Sequence, residues 1–152
     1  MFWSRPNLKI NSSNLIRLPL EDSKENYLKG FWDWVSLMAD DDYSRAVEAL
    51  YWRRKPIFTP KKLKERITSF WGGGKPWSVV IPNARLVKVV EDQADFDPSS
   101  GSQPGWLMAQ IPVTTEPDRI KEDDISLQGV AVSFIVREFE GSKVFDFEIF
   151  HL

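Results

Sequence analysis

The side chains that could do chemistry in this chain are few. Its 152 residues contain one histidine, His151, and no cysteine. Disulfides, thiol nucleophiles and Cys-ligated metal are therefore excluded, and a multi-histidine metal site or a Ser-His-Asp triad has little to draw on. His151 by itself reads as a structural or solvated residue. The carboxylates that qualify by type as a general base are Asp33, Asp146 and Glu148. Asp146 and Glu148 stand two apart on one strand face and could converge. That face lies opposite Phe145 and Phe147, so the simpler reading is a solvated surface or ion pairs with a neighbouring strand, where Arg137 is a candidate partner. Asp40-Asp41-Asp42 is the densest acidic run. Adjacent residues do not converge on one ion, and the demand of two helix ends for caps explains the run without a ligand.

The most uneven charge lies in Arg53–Arg66, RRKPIFTPKKLKER. Seven bases against Glu65 give it a net charge of +6, leaving −8 for the remainder of a chain whose total is −2. Arg53, Arg54, Lys61, Lys62 and Lys64 are the candidate partner-binding residues. A solvated helix face is the plain reading, and an acidic protein partner is the functional one. Trp52, Phe58 and Trp71 interleave aromatics that would suit stacking on single strands, but the negative total disfavours nucleic acid.

The elements that must position these groups follow from periodicity. Tyr27, Phe31, Trp34, Val35 and Met38 recur at helical spacing, with Asp22 or Ser23 as the cap. Tyr43, Ala46, Val47, Leu50 and Tyr51 make a second stripe. Thr59-Pro60 opens a third helix, which carries Leu63, Ile67, Phe70 and Trp71 and ends at Gly72-Gly73-Gly74. Strands are expected at 77–81, at Leu86–Glu91, at Trp106–Thr115 (on an edge or at a bulge because of Pro112) and in a hairpin turning at Glu140-Gly141-Ser142. Residues 92–105 read as a mobile loop or the end of a hairpin. Alternation puts Phe145, Phe147, Ile149 and His151 on one face of the last strand. Residues 1–21 form an extended N-terminal segment and 22–152 one domain. The fold class is α+β: three N-terminal helices on a curved, mostly antiparallel sheet of about four to five strands.

The pattern F-W-D-W-V-S-L-M (31–38), followed by D-D-D-Y-S-R-A-V-E-A-L (40–50) and the closing strand V-F-D-F-E-I-F-H-L (144–152), resembles the nuclear transport factor 2-like superfamily, a cone-shaped α+β fold. The resemblance spans 22–152 and departs from the family at 53–59, which is too short for its early hairpin. It implies a last strand in the middle region of the sheet and a pocket between helices and concave sheet face. Phe31, Trp34, Trp71, Trp106, Phe134 and Phe147 are candidates for the pocket wall, with plain core filling as the alternative. The expected function is a non-enzymatic binding domain that takes a small apolar ligand in a cavity or an acidic protein partner on its surface, as immunity proteins do. The alternative is an isomerase, cyclase or hydratase using a buried carboxylate. No cofactor is called for, and pairing of two copies through the outer sheet face is a further option. No run is long enough for a membrane span, and the absence of cysteine suits a reducing, cytoplasmic setting.

Overall fold

The computed structural model describes residues 12–53, 57–122 and 124–151. It is α+β, with four helices and a curled antiparallel sheet. Helix α1, Lys24–Ala39, buries the expected stripe of Tyr27, Phe31, Trp34, Val35 and Met38. Ser23 is its cap, accepting from the Asn26 N–H, so Asp22 is released for another task. The three aspartates between α1 and α2, Tyr43–Glu48, do three different things. Asp40 ends α1. Asp41 takes a positive φ of 59° and pairs with Lys64. Asp42 caps α2 by accepting from the Arg45 N–H.

Helix α2 stops six residues in. Tyr51 then runs beside the last strand, donating its N–H to the Phe145 carbonyl at 2.8 Å and accepting from the Phe147 N–H at 3.2 Å. Helix α3, Pro60–Thr68, has Thr59 as its cap and buries Leu63 and Ile67. It ends before Trp71. Gly72, Gly73 and Gly74 follow with φ of 64°, 89° and 80°, three consecutive left-handed residues that only glycine adopts readily.

The strands are β1, Ser78–Val79; β2, Asp95–Asp97; β3, Gly105–Thr114; β4, Gln128–Phe139; and β5, Ser142–Phe150. Their order is β1-β3-β4-β5, with β2 also on β3. Glu140 and Gly141 close the β4–β5 hairpin with φ of 50° and 77°, the two-residue turn whose twist matches the strands. β4 is central and apolar on both faces, as its sequence requires.

Five expectations are corrected. Leu86–Glu91 is not a strand: it lies in helix α4, Ala84–Gln93, capped by Asn83. The β-branched run mimics a strand, but residues 83, 86, 87, 90, 91 and 94 form the sheltered side, a helical period. The described residues thus hold four α-helices where three were expected, the fourth inserted between β1 and β2. Within 92–105 the hairpin end is what forms, with Asp95–Asp97 pairing antiparallel to β3. Pro112 sits in the central strand β3. Its carbonyl accepts from the Val80 N–H, so its ring nitrogen faces the same side, beside β1, and β4 loses no hydrogen bond. β5 ends the strand order instead of lying mid-sheet, and its outer edge is covered by bridges from Leu18 and Tyr51.

The fifth correction is a bulge. Phe134 pairs with Phe147 but Ser133 pairs with Ile149, so one extra residue enters β5. The alternation resets there. Phe150 turns inward with Phe145 and Phe147, while Ile149 becomes 51% exposed and His151 joins the outer side.

The core lies between α1–α3 and the inner sheet face. Trp34 meets Phe134 edge-on at 5.2 Å, and Phe134 contacts Phe145 at 4.6 Å and Phe147 at 6.4 Å. The N-terminal segment docks at the rim of this core through Leu15 and Leu18, and the Leu18 N–H donates to the Lys143 carbonyl. Gly30 allows that docking: a Cβ there would lie 2.2 Å from Leu18 Cδ2.

Candidate functional site

The six aromatic residues expected around a pocket divide into two sets. Phe31, Trp34 and Phe134 are fully buried and Phe147 nearly so, all on the inner side among the rings just described. The Trp34 indole N–H is satisfied inside the protein by the Ala46 carbonyl at 3.0 Å. Trp71 and Trp106 lie elsewhere. Trp71 is 46% exposed and donates to the Gly129 carbonyl on the sheet. Trp106 is on the outer face, cross-strand from Asp97 on one side and Ile135 on the other.

The outer face carries the polar chemistry. Glu148 Oε1 accepts from Trp106 Nε1 at 2.9 Å and from Ser133 Oγ at 2.7 Å. His151 Nε2 is 2.9 Å from the same Ser133 hydroxyl. This links His, Ser and Glu, but the serine is fully buried and its proton is committed to Glu148, so it is not presented as a nucleophile. No sequence signal could find this cluster. It depends on the β3–β4 register and on the bulge that brings Glu148 and His151 to one side of β5.

Asp146 is 2% exposed and held at both oxygens. Arg137 Nε donates to Oδ2 at 2.5 Å and the Arg53 N–H to Oδ1 at 3.3 Å. The expected Arg137 pairing is therefore present. A carboxylate held by a guanidinium and an amide is a structural anchor, not a free base. Asp33 is exposed on α1.

A second polar knot joins three distant segments. Asp22 accepts from Tyr27 Oη at 2.5 Å, from Lys143 Nζ at 2.6 Å and from the Ser99 hydroxyl. Burial pushes the Asp22 carboxyl up, but the hydrogen bonds from Lys143, Ser99 and Tyr27 and the charge of Lys143 outweigh it and hold the pKa at about 2. Burial and the Asp22 carboxylate push the Tyr27 hydroxyl far above its ordinary value. Gly105 makes room for this hydroxyl, since a Cβ there would lie 2.1 Å from it. Beside the knot is an open cavity of about 360 Å³ lined by Ser99, Gln103, Arg137, Glu138 and Lys143 among others.

The basic stretch is partly presented to solvent. Lys61, Lys62, Lys64 and Arg66 project from the exposed side of α3. Lys64 pairs with Asp41 at 2.8 Å, and Arg66 lies over the rings of Phe58 and Phe150 at 5.6 and 5.7 Å. Phe58 packs on Trp52, next to the exposed Arg53, so the two arms of the stretch meet. Lys61 and Lys62 have no acidic partner among the described residues. Arg54 lies outside the described residues.

No protein-family model matches this chain, and neither the curated proteins nor the solved structures contain a significant match. No helix among the described residues is long and apolar enough to cross a membrane, and no group of three or more potential metal-ligating side chains occurs among them.

Proposed function

We propose that this protein is a non-enzymatic binding domain of the cone type, and that the outward side of α3 docks an acidic protein surface. The observation that carries this reading is the unpaired display of Lys61 and Lys62 on a helix anchored by fully buried Leu63 and Ile67. Charges on a fixed helix lose little freedom when a partner arrives, so they favour association and steer it. Arg53 and Arg66 extend the same surface across Trp52 and Phe58.

Surface docking has more support than an internal ligand or catalysis. Rings occupy the space between α1 and the sheet, and Asp146 and Glu148 are both engaged in hydrogen bonds on the other side of that sheet. The test is binding of poly-L-glutamate, followed by anisotropy across a sodium chloride series. Affinity should fall as salt rises, and K61E/K62E should abolish it while the fold persists. Unchanged affinity in K61E/K62E would remove α3 as the docking face.

A further inference from the structure

An open cavity on the outer sheet face is built around Trp106. It holds about 540 Å³ and is lined by Asp97, Gln103, Pro104, Trp106, Ile135 and Glu148, among others. Its lining holds two carboxylates and no basic residue. The cavity beside Ser99 differs, being lined by Arg137 and Lys143, as does the one at the N-terminal segment, lined by Arg17 and Lys29.

The Trp106 ring is fixed in place. Its indole N–H is tied to Glu148, whose carboxylate is braced by Ser133, so the ring cannot swing away without breaking that bond. With its one donor engaged, the indole has no further polar group to offer the cavity it lines and can meet a ligand there only as an aromatic surface. Asp97 is the direct cross-strand neighbour of Trp106 and therefore shares its face of the sheet. Its exposed carboxylate has no hydrogen bond or ion pair among the described residues. An unpaired carboxylate beside an immobilised indole, with Ile135 and Pro104 as apolar walls, is a setting that favours a cation with an apolar shell. The indole attracts such a cation through its quadrupole and the carboxylate through its charge.

We infer that this cavity binds an organic cation of the alkylammonium class, seated over Trp106 with Asp97 as counter-ion. The inference is independent of the α3 docking face, which has the opposite charge and lies on other elements. The chemistry is shared by a free alkylammonium and by a lysine side chain on a peptide.

The test is a titration of ¹⁵N-labelled protein, following the Trp106 indole N–H resonance. Tetramethylammonium chloride is the probe, and sodium chloride at equal ionic strength is the reference. A saturable shift of that resonance with tetramethylammonium alone is expected. Asp97→Asn should weaken it about two- to ten-fold and Asp97→Lys should abolish it, the other indole resonances staying in place. Trp106→Leu should also remove binding. Should that variant fail to fold, the exposed Asp97 substitutions decide the matter alone. A second arm with a lysine-containing tetrapeptide separates the sources, since tighter binding of the peptide marks a side-chain ligand and weaker binding a free cation. A shift no larger with tetramethylammonium than with sodium overturns the assignment, and so does undiminished binding in Asp97→Lys.

Discussion

The two faces of the sheet are built from the same three strands and obey different rules. The inner face is closed by aromatic rings: Phe134 meets Trp34, Phe145 and Phe147 with centroids 4.6 to 6.4 Å apart. The outer face is held by directional polar bonds, Arg137 to Asp146 and the Trp106–Glu148–Ser133–His151 chain. Packing of the first kind is non-directional and indifferent to pH, whereas bonds of the second kind depend on charge state and register. The bulge in β5 serves both. It returns Phe150 to the ring cluster and sets Glu148 against Trp106. The contrast predicts that most of the stability comes from the inner side, while the two surfaces proposed for binding lie on the outer face and on α3.

The largest expected effect tests the inner face. Phe134→Ala should cost about 3–5 kcal/mol, the range for deleting a buried ring whose neighbours cannot collapse into the void. Urea unfolding at pH 5 and at pH 8 should give the same loss, because the rings that Phe134 meets, Trp34, Phe145 and Phe147, do not titrate. A loss below that of any outer-face variant would break the contrast.

Next is Asp146→Asn, which removes the charge and keeps the shape. Removing one partner of a buried pair leaves the other uncompensated, but Arg137 is 27% exposed and has access to water. The expected cost is therefore about 2–3 kcal/mol, below the range for fully buried pairs. Combining it with Arg137→Met should recover part of the loss. Failure of that rescue would show that the loss does not come from leaving Arg137 without its counter-charge.

What could be read from the sequence divides along the same line. The inner face was legible because burial leaves a period. The α1 stripe, the Leu63 and Ile67 side of α3 and the alternation in β4 all appear where periodicity puts them. The hairpin was legible because Glu140-Gly141 is a local signal. Helix α4 was not, because Val87, Val89 and Val90 favour a strand locally while its sheltered residues follow a helical period that tertiary contacts select. The outer-face cluster was the least legible. Trp106, Ser133 and Glu148 come from three strands, and one inserted residue in β5 decides which side chains meet. Of the aromatic residues expected to gather, Trp71 and Trp106 failed to join the others for the same reason: type and spacing do not reveal which side of a sheet a residue in another element will reach.

A smaller effect concerns the knot that ties the two faces together at the start of α1. Asp22 has a folded pKa of about 2, below the unfolded carboxylate value of roughly 3.9. Its contribution is therefore full above the unfolded value and disappears as pH falls through the interval down to about 2. Asp22→Asn should cost about 1–2 kcal/mol at pH 6, discounted because the side chain is only partly sheltered, and at most about 0.4 kcal/mol near pH 2, where the folded carboxyl is half protonated. Unfolding curves of both proteins across that range should converge at the acid end. A gap as large at pH 2 as at pH 6 would mean the lost hydrogen-bond geometry, not the charge, is responsible.

The smallest effect sets two opposing terms against each other at Gly30. In a bare helix, alanine there would be favoured by about 1 kcal/mol. In this fold the added Cβ would meet Leu18 Cδ2 at 2.2 Å and Phe145 at 3.0 Å. The leucine tip can rotate, but Phe145 is locked in the ring cluster, so overpacking of roughly 1–3 kcal/mol should exceed the gain in propensity. Gly30→Ala should thus lose about 1 kcal/mol net, with the first sign of it at Leu18, whose side chain the added methyl meets at the shorter distance. Amide exchange at Leu18, whose N–H donates to the Lys143 carbonyl at 2.9 Å, would report that loosening directly. If the variant is instead stabilised and Leu18 stays protected, the N-terminal segment accommodates the methyl group at no cost, and its close approach to α1 is not what fixes the edge of β5.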